Sequence, residues 1–480
     1  MFLKRFYDDG LAQASYLIGC AATGEAIVID ANRDIQQYLD AAAAEKLGIT
    51  HVTETHIHAD YVSGSRELAQ RTGAQLLLSA EGGKDWQYAF AKQDGATLLH
   101  DGDVIKVGNI KIDVLHTPGH TPEHLSFLVT DTAAAHEPMG IATGDFVFVG
   151  DVGRPDLLER AAKVANTMEA GARTLFKSLD RFRGLPDYLQ VWPGHGAGSA
   201  CGKSLGAVPT STVGYEKRFN WGVGTTDEST FVDAVLAGQP EPPLYFAEMK
   251  RINRDGPPIL GGFKAPARGS LAELRTALTD GAAVLDLRPA AEFARGHIPG
   301  TLNIPLNKSF STWAGWLVKY DQAIHLIANE RDALKAVREL AMIGLDAVAA
   351  SYEPRIITEF KDQGGALGTV AKTESKALAP RVAREEVTVL DVRNRSEFDA
   401  GHLPGALHIP VGYLPARLGE IPRDKPIIVQ CQTGSRSAIA ASLLQRLGIE
   451  QVSDLTDGYV GWQAAGFDIV TEDAPAGAGV

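Results

Sequence analysis

Three clusters of potential metal ligands stand in the first third of the sequence. They are THIHADY at 55–61, HTPGHTPEH at 116–124 and TGD at 143–145. First-row metals bind imidazole nitrogens and carboxylate oxygens, so three such clusters in order predict one metal site. Tyr61 stands where an HxHxDH motif would place its last histidine, and the part that would hold a second metal is therefore incomplete. The clusters predict a single metal with open coordination positions.

Strands must bring these clusters together, because the clusters are far apart in the sequence. Hydrophobic patterning predicts strands and helices in alternation up to about residue 240. The predicted strands cover 25–30, 49–56, 110–117, 124–130 and 188–195, and the predicted helices cover 34–47 and 63–72. Each candidate ligand falls at a strand end or in the loop after it, where a rigid scaffold can aim side chains into one cleft.

The motifs THxHADxxSG, HTPGHTPxH, TGDxxFxGDVGRPDL and PGHGAGSACGKS resemble those of the metallo-β-lactamase superfamily. They are most similar to the iron(II) persulfide dioxygenases, or sulfur dioxygenases, of its glyoxalase II-like branch. The resemblance covers about residues 1–245 and implies an αββα sandwich with one Fe(II) per chain at one edge of the two sheets. It implies that His56, His120 and Asp145 bind the iron and leave positions for substrate and oxygen. The residues that it places around these ligands are His58, Asp60, Tyr61 and His195.

Arg154 and Cys201 are the candidates for contact with substrate. Arg154 matches a position where the dioxygenases hold a carboxylate or polar group of the substrate, and its alternative role is that of a surface or helix-capping arginine. Cys201 either fills buried space or receives and relays sulfur close to the iron cleft. Cys20 lies in a strand-like segment and is predicted to be buried filler.

The second half of the sequence contains an internal repeat. Residues 284–306 and 389–411 are identical at 13 of 23 positions, with a constant offset of 105 residues. Two copies of one α/β module are predicted. Because both copies contain the same Asp, Arg and His, we expect these residues to serve the fold and not the activity. They are Asp286, Arg288 and His297 in the first copy, and Asp391, Arg393 and His402 in the second.

A candidate nucleophile occurs in the second copy. The predicted strand 426–430 runs directly into Cys431, and a helix is predicted over 437–447. Unpaired N–H groups and the positive end of a helix dipole would favour the thiolate, and the same cradle would hold a persulfide on that sulfur. Arg436 adds a cation at the rim. The cradle residues are predicted to be Gln432, Thr433, Gly434, Ser435 and Ser437.

This loop resembles that of the rhodanese family, whose Cys-x4-Arg spacing suits sulfane sulfur, whereas a related phosphatase branch has one residue more. The resemblance implies that Cys431 and Arg436 are catalytic residues. The corresponding stretch of the first copy, 325–337, has no Cys, and its loop looks shortened. That copy resembles an inactive rhodanese, for which a spacer or docking role is the prediction.

The chain is therefore predicted to be an α/β protein with three domains, as its 480 residues also suggest. An N-terminal metallo-β-lactamase αββα sandwich is followed by two α/β rhodanese-like domains. The predicted segments are 1–245 (dioxygenase domain), 246–266 (linker), 267–357 (rhodanese-like without Cys), 358–378 (linker), 379–472 (active rhodanese) and 473–480 (disordered tail).

Composition narrows the cellular context. A net charge of -13 argues against nucleic acid and anionic membranes as partners, and no apolar run is long enough to span a bilayer. The first residues, MFLKRFYDDG, lack the apolar region of a signal peptide, and three scattered cysteines fit a reducing compartment. A cytoplasmic location is the expectation.

The predicted function is oxidation of a low-molecular-weight persulfide to sulfite with O2, coupled to sulfur transfer between persulfide and sulfite or thiosulfate. The carrier thiol would be glutathione, coenzyme A or a similar molecule, and the resemblance implies a homodimer or homotetramer. One alternative is a zinc-dependent thioester hydrolase of the glyoxalase II type, with two metals. Another is a persulfide carrier or sensor in which the metal is only structural.

Overall fold

Buried aliphatic segments build two six-stranded sheets in the first part of the computed structural model. The structure describes residues 1–160, 167–203, 205–239 and 241–471. The chain divides into two compact units, of which the first comprises Met1–Phe263 and Arg338–Leu345. The second comprises Lys264–Val337 and the residues from Asp346 onward.

The two sheets of the first unit each use strands that are close in sequence. The first sheet has the order β1-β2-β3-β4-β5-β6, and the second has the order β12-β11-β10-β9-β8-β7. The strands are β1 (Phe2–Asp8), β2 (Gln13–Cys20), β3 (Glu25–Ile29), β4 (Gly48–Thr53), β5 (Gln75–Ser79), β6 (Thr97–Leu99), β7 (Val104–Val107), β8 (Ile110–His116), β9 (Leu125–Asp131), β10 (Gly140–Gly144), β11 (Gln190–Pro193) and β12 (Ser211–Thr212).

Helices cover the outer faces of both sheets. They are α1 (Gln36–Ala44), α2 (Ser65–Thr72), α3 (Leu157–Arg160), α4 (Met168–Arg183), α5 (Val213–Phe219), α6 (Trp221–Gly224), α7 (Glu228–Leu236) and α8 (Phe246–Asp255), with a short 3-10 helix at Lys84–Trp86. Strand β3 is apolar along most of its length because both of its faces are buried. Ala26 and Val28 face the core under α1 and α2, whereas Ile27 and Ile29 face the core between the sheets. The result is the predicted αββα sandwich.

The second unit contains two parallel sheets, one for each copy of the repeat. The first has the order β14-β13-β15-β16, and the second has the order β17-β21-β20-β18-β19. Their elements are α9 (Leu271–Thr279), β13 (Ala283–Asp286), α10 (Ala290–Arg295), β14 (Leu302–Asn303), α11 (Phe310–Leu317), β15 (Ile324–Ile327), α12 (Glu330–Met342), β16 (Val348–Tyr352), α13 (Ile356–Asp362), β17 (Ala371–Thr373), α14 (Ser375–Ala383), β18 (Thr388–Asp391), α15 (Arg395–Asp399), β19 (Leu407–His408), α16 (Leu414–Arg417), β20 (Ile427–Gln430), α17 (Ser435–Arg446), β21 (Val452–Leu455) and α18 (Gly458–Ala464), with 3-10 helices at Val411–Tyr413 and Leu418–Glu420.

The structure differs from the predicted segments in two places that concern the sites. Residues 246–255, which fall in the predicted linker, form helix α8, because Phe246 and Met249 are buried on one of its faces. Helix α17 begins at Ser435, two residues before the predicted start, so that Arg436 lies in its first turn. The predicted domain boundaries remain a proposal, and the predicted tail, 473–480, lies outside the described residues.

Candidate metal centre and cysteine loop

The candidate ligands stand at the carboxyl ends of four strands of the first unit. The loop after β4 carries His56, the loop after β8 carries His120, Asp145 follows β10 and His195 follows β11. Strands β8, β10 and β11 run in the same direction, since β9 is antiparallel to its neighbours β8 and β10, and β11 is parallel to β10. Their carboxyl ends therefore meet at one edge of the second sheet.

His56, His120 and Asp145 converge there, with their candidate ligand atoms within 4.8 Å of one another. The Nε2 atom of His120 lies 3.4 Å from Oδ2 of Asp145, and that of His56 lies 4.0 Å from the same oxygen. All three side chains are buried. Two imidazoles and one carboxylate in this arrangement match the two-histidine, one-carboxylate set that non-haem iron uses.

Hydrogen bonds on the far sides of both rings fix which nitrogen faces the centre. The Thr55 hydroxyl donates to Asp30 at 3.0 Å, so Nδ1 of His56, 2.9 Å from that hydroxyl, must donate to it. Nδ1 of His120 donates to the carbonyl of Arg154 at 3.1 Å. Each neutral ring therefore turns the lone pair of its Nε2 toward the centre.

The charge state of the group also fits a cation. Burial lowers the pKa of His56, with further lowering by neighbouring histidines, and burial lowers the pKa of His120 although Asp145 opposes it. Neither carboxylate oxygen of Asp145 accepts a hydrogen bond from any residue that the structure describes. A buried, unpaired carboxylate is unfavourable without a positive partner, so a metal ion would satisfy the donor set that is present.

His58 and Tyr61 lie beside this group and are engaged with Asp30. Nε2 of His58 is 3.2 Å from Oδ1 of Asp30. Burial opposes a charge on His58, but Asp30 and further carboxylates outweigh it and raise its pKa to about 9. Tyr61 is buried, its ring lies 4.4 Å from that of His58, and its hydroxyl donates to the Asp30 carbonyl. Tyr61 thus fills the place of the missing motif histidine with a phenol.

A second group of buried donors adjoins the first and consists of Asp60, His195 and Cys201. Nδ1 of His195 donates to the Ala12 carbonyl at 3.0 Å, so its Nε2 faces Asp60 at 3.2 Å and Asp145 at 3.4 Å. Burial raises the pKa of the Cys201 thiol, and the two carboxylates raise it further. The sequence placed each of these residues near the metal but did not predict that they form a group.

Arg154 is fully buried, and its guanidinium is held inside the protein. It makes a bidentate pair with Asp156, at 2.8 and 2.7 Å, and donates to the Ala200 carbonyl at 2.9 Å. The same residue accepts the Nδ1 hydrogen of His120 through its own carbonyl. Arg154 therefore connects a candidate ligand to the loop of Cys201, and its predicted contact with substrate stays a prediction.

Two residues that were not predicted from the sequence organise the loop after β4. Asp30 has a left-handed backbone, with φ 57°, and accepts hydrogen bonds from the backbone and hydroxyl of Thr55. Asn253 of α8 donates to the carbonyls of His58 and Tyr61, at 2.8 and 2.7 Å, and accepts from the backbone of Ser63. The one signal for Asp30 was its position at the end of a predicted strand.

The cysteine loop of the second unit has the predicted strand, loop and helix. Cys431 is fully buried, and its Sγ lies 3.2 Å from the backbone nitrogen of Gly434 and 3.5 Å from the hydroxyl of Ser437. Gly434 has φ 91°, and a Cβ there would stand 2.6 Å from the Thr456 carbonyl, so glycine suits this turn. The roles of Cys431 and of the predicted cradle residues remain a proposal.

Arg436 does not hold the sulfur in this structure. Its two terminal nitrogens each lie 2.6 Å from an oxygen of Glu397. The sequence predicted a cation at the rim of the loop and did not indicate this carboxylate partner.

The first copy of the repeat lacks the corresponding loop. Two residues, Ala328 and Asn329, separate β15 from α12, whereas four residues separate β20 from α17. Asn329 instead accepts a hydrogen bond from the backbone of Asp332 in the first turn of α12. The shared Asp-x-Arg residues have two contacts in common, since Arg288 and Arg393 each pair with the preceding aspartate and donate to a glycine carbonyl. Arg393 also donates to Oε1 of Gln432 in the cysteine loop, at 3.2 Å.

Comparison with known proteins agrees with both parts of the fold. The description "Metallo-beta-lactamase superfamily" matches residues 8–195, and "Rhodanese-like domain" matches residues 270–350 and 374–465. A crystal structure described as a metallo-beta-lactamase from Staphylococcus aureus subsp. aureus COL is 45% identical, covers 74% of this chain and 99% of its own, and has a TM-score of 0.67. The chain therefore belongs to the metallo-β-lactamase superfamily and carries two rhodanese-like domains in its second half.

Two curated relatives match one part of the chain each. A sulfurtransferase from Allochromatium vinosum is 35% identical over 105 residues, which are 22% of this chain and 98% of that protein. The mitochondrial persulfide dioxygenase ETHE1 of Bos taurus is 27% identical over 201 residues, which are 41% of this chain and 68% of that protein. The chain spans about half the length, 53%, of two other curated relatives that it matches.

Among the described residues, no helix combines the length and apolar composition needed to cross a membrane.

Proposed function

We propose that this chain is a non-haem Fe(II) persulfide dioxygenase joined to a rhodanese-type sulfurtransferase. The observation that carries the proposal is the buried group of His56, His120 and Asp145, beside which Tyr61 replaces the histidine that a second metal would use. Likeness to a persulfide dioxygenase in the first part and to a sulfurtransferase in the second supports it. The net reaction would convert persulfide, O2 and water into thiol and sulfite.

An Fe(II) ion held by these three residues would supply adjacent open positions and redox chemistry toward O2. The protein's own contribution is orientation and exclusion of water. Thr55 and the Arg154 carbonyl fix both imidazole rings through Nδ1, and the burial of all three ligands keeps bulk solvent from the centre. Asp60, His195 and Cys201 lie beside these ligands, and the terminal sulfur of a persulfide is proposed to bind on this side of the metal.

The proposed reaction of the second site is a pair of sulfur transfers. The Cys431 thiolate attacks the outer sulfur of the persulfide, the S–S bond breaks, and the carrier leaves as thiol with the proton. Sulfite then attacks the sulfur held on Cys431, which forms the S–S bond of thiosulfate and returns the thiolate. Backbone N–H groups around Gly434 would stabilise the negative sulfur in both forms.

Glutathione persulfide and coenzyme A persulfide are the proposed substrates, and a cytoplasmic homodimer or homotetramer is the proposed setting. Protein loaded with iron is expected to consume O2 when either persulfide is added. The absence of O2 uptake with every persulfide tested would overturn the proposed function.

The second candidate function is a zinc-dependent thioester hydrolase of the glyoxalase II type. The group of Asp60, His195 and Cys201 favours it, because these donors could hold a second metal ion next to the first. Asp145 of the first group lies 3.4 Å from Nε2 of His195 and could contact both ions. Such an enzyme needs two metals and no oxygen. Metal analysis separates the two functions, since one iron per chain supports the dioxygenase and two zinc ions support the hydrolase.

A further inference from the structure

The ion pair between Arg436 and Glu397 weakens the electrostatic attraction of the cysteine loop for an anion. Both terminal nitrogens of Arg436 are taken up by the two Glu397 oxygens, in a bidentate geometry at 2.6 Å each. The side chains are only 18% and 30% exposed, so solvent screens the pair weakly. The positive charge at the rim is therefore largely compensated.

Glu397 is itself held in place by the start of helix α15. Its side chain accepts the backbone N–H of Asn394 at 3.1 Å and closes a capping box with that residue. Burial would raise the pKa of Glu397, but Arg436 and the hydrogen bond from Asn394 outweigh burial and lower it. Glu397 is therefore a fixed negative charge close to the loop.

A fixed negative charge affects the two candidate sulfur donors differently. Thiosulfate carries a charged sulfonate directly beside the sulfur that it transfers, whereas a persulfide of glutathione or coenzyme A carries there an uncharged sulfur bonded to a methylene group. Like charges brought together in a partly desolvated site repel each other, and a cation already paired with a carboxylate attracts an anion less strongly.

We propose that Glu397 determines the donor specificity of the Cys431 loop by neutralising Arg436, which disfavours thiosulfate relative to persulfide as the source of sulfur. The proposal rests on the sulfurtransferase part of the proposed function. Glu397 acts through Arg436 and is a positioning residue. In loading from thiosulfate, the Cys431 thiolate attacks the outer sulfur and sulfite leaves with the electron pair.

The test uses the full chain and measures how fast Cys431 gains one sulfur atom, by mass spectrometry, at increasing concentrations of thiosulfate or glutathione persulfide. Glu397→Gln removes the charge and keeps an oxygen for the capping box. Its half-saturating thiosulfate concentration is expected to fall about tenfold, the factor that corresponds to about 1.4 kcal/mol, with little change in the maximal rate. The half-saturating persulfide concentration is expected to stay within about twofold of that of the unchanged protein.

Two further variants separate charge from structure. Glu397→Asp keeps the charge and is expected to return the thiosulfate response toward that of the unchanged protein. Glu292→Gln changes the corresponding residue of the copy without Cys and is expected to change nothing. An unchanged thiosulfate response in Glu397→Gln, or an equal loss with both donors, would overturn the inference while leaving sulfur transfer intact. Failure of the unchanged protein to load Cys431 from either donor would instead overturn the sulfurtransferase proposal as well.

Discussion

At the scale of single residues, the candidate metal centre depends on atoms that do not face it. Both imidazoles present Nε2 because their Nδ1 atoms are occupied, by Thr55 in one case and by the Arg154 carbonyl in the other. Thr55 in turn donates to Asp30, so a chain of hydrogen bonds orients His56. Such partners hold a ligand in its binding geometry before the metal arrives.

Thr55→Val tests this orientation. The valine has the same shape but cannot accept from His56 or donate to Asp30, so metal affinity is expected to fall by about 10–100-fold. Competition with a chelator, read as iron retained per chain, measures the change. Thr50→Val is the matched control, because Thr50 lies on β4 and bonds to His51 and to the Ala26 carbonyl, away from the centre. Equal iron retention in both variants would contradict the role of Thr55.

The sequence could predict the ligand types but not all of their supports. His56, His120 and Asp145 stand in clusters of metal-binding residue types that can be recognised from the sequence alone, and the structure brings them together. Glu397 gave no comparable signal, because a glutamate in the first turn of a helix is typical of an ordinary capping box, and its partner Arg436 lies 39 positions later. Arg154 was selected because its motif matches a position where the dioxygenases hold substrate, and the structure pairs its guanidinium with Asp156.

At the scale of elements, strand ends and one unexpected helix place the ligands. Strand β4 ends at Thr53, three residues before the predicted end, because the chain leaves the sheet to bring His56 and His58 into the loop. Helix α8 lies within the predicted linker, 246–266, and supplies Asn253 to that loop. The sequence did not predict this helix, because the burial of Phe246 and Met249 that stabilises it depends on contacts distant in sequence.

Asn253→Ala is expected to destabilise the loop after β4. The change leaves the carbonyls of His58 and Tyr61 and the backbone N–H of Ser63 without their partner, at a cost of about 1–3 kcal/mol in the free energy of unfolding. Chemical denaturation of iron-free protein measures the loss. Asn109→Ala, at an exposed turn, serves as the control. Unchanged stability in Asn253→Ala would show that α8 does not support the loop.

At the scale of the whole molecule, one chain contains a metallo-β-lactamase fold and two rhodanese-like folds. The repeat in the second half was visible in sequence because thirteen identical positions keep one offset. Both copies form α/β modules as predicted, each with a parallel sheet. The chemistry of the two proposed sites is complementary. Under the proposed function, sulfite formed at the first site would be the acceptor used at the second.

Cys431→Ser in the full chain is expected to separate these activities. O2 uptake with glutathione persulfide should persist at the rate of the unchanged protein, while thiosulfate formation from persulfide and sulfite should be lost, since serine cannot carry the sulfur. Cys20→Ser, which alters a buried cysteine between the two sheets, is the control for general damage. Loss of O2 uptake in Cys431→Ser but not in Cys20→Ser would contradict the claim that the two sites act independently.

The most direct test of the central claim is the stoichiometry of oxygen consumption by protein of known metal content. Cys431→Ser protein with one iron per chain, which cannot pass sulfur to the sulfite that forms, is expected to consume one O2 for each glutathione persulfide added and to release one sulfite. Two zinc ions per chain, no consumption of O2 and hydrolysis of a glutathione thioester would contradict a one-iron persulfide dioxygenase.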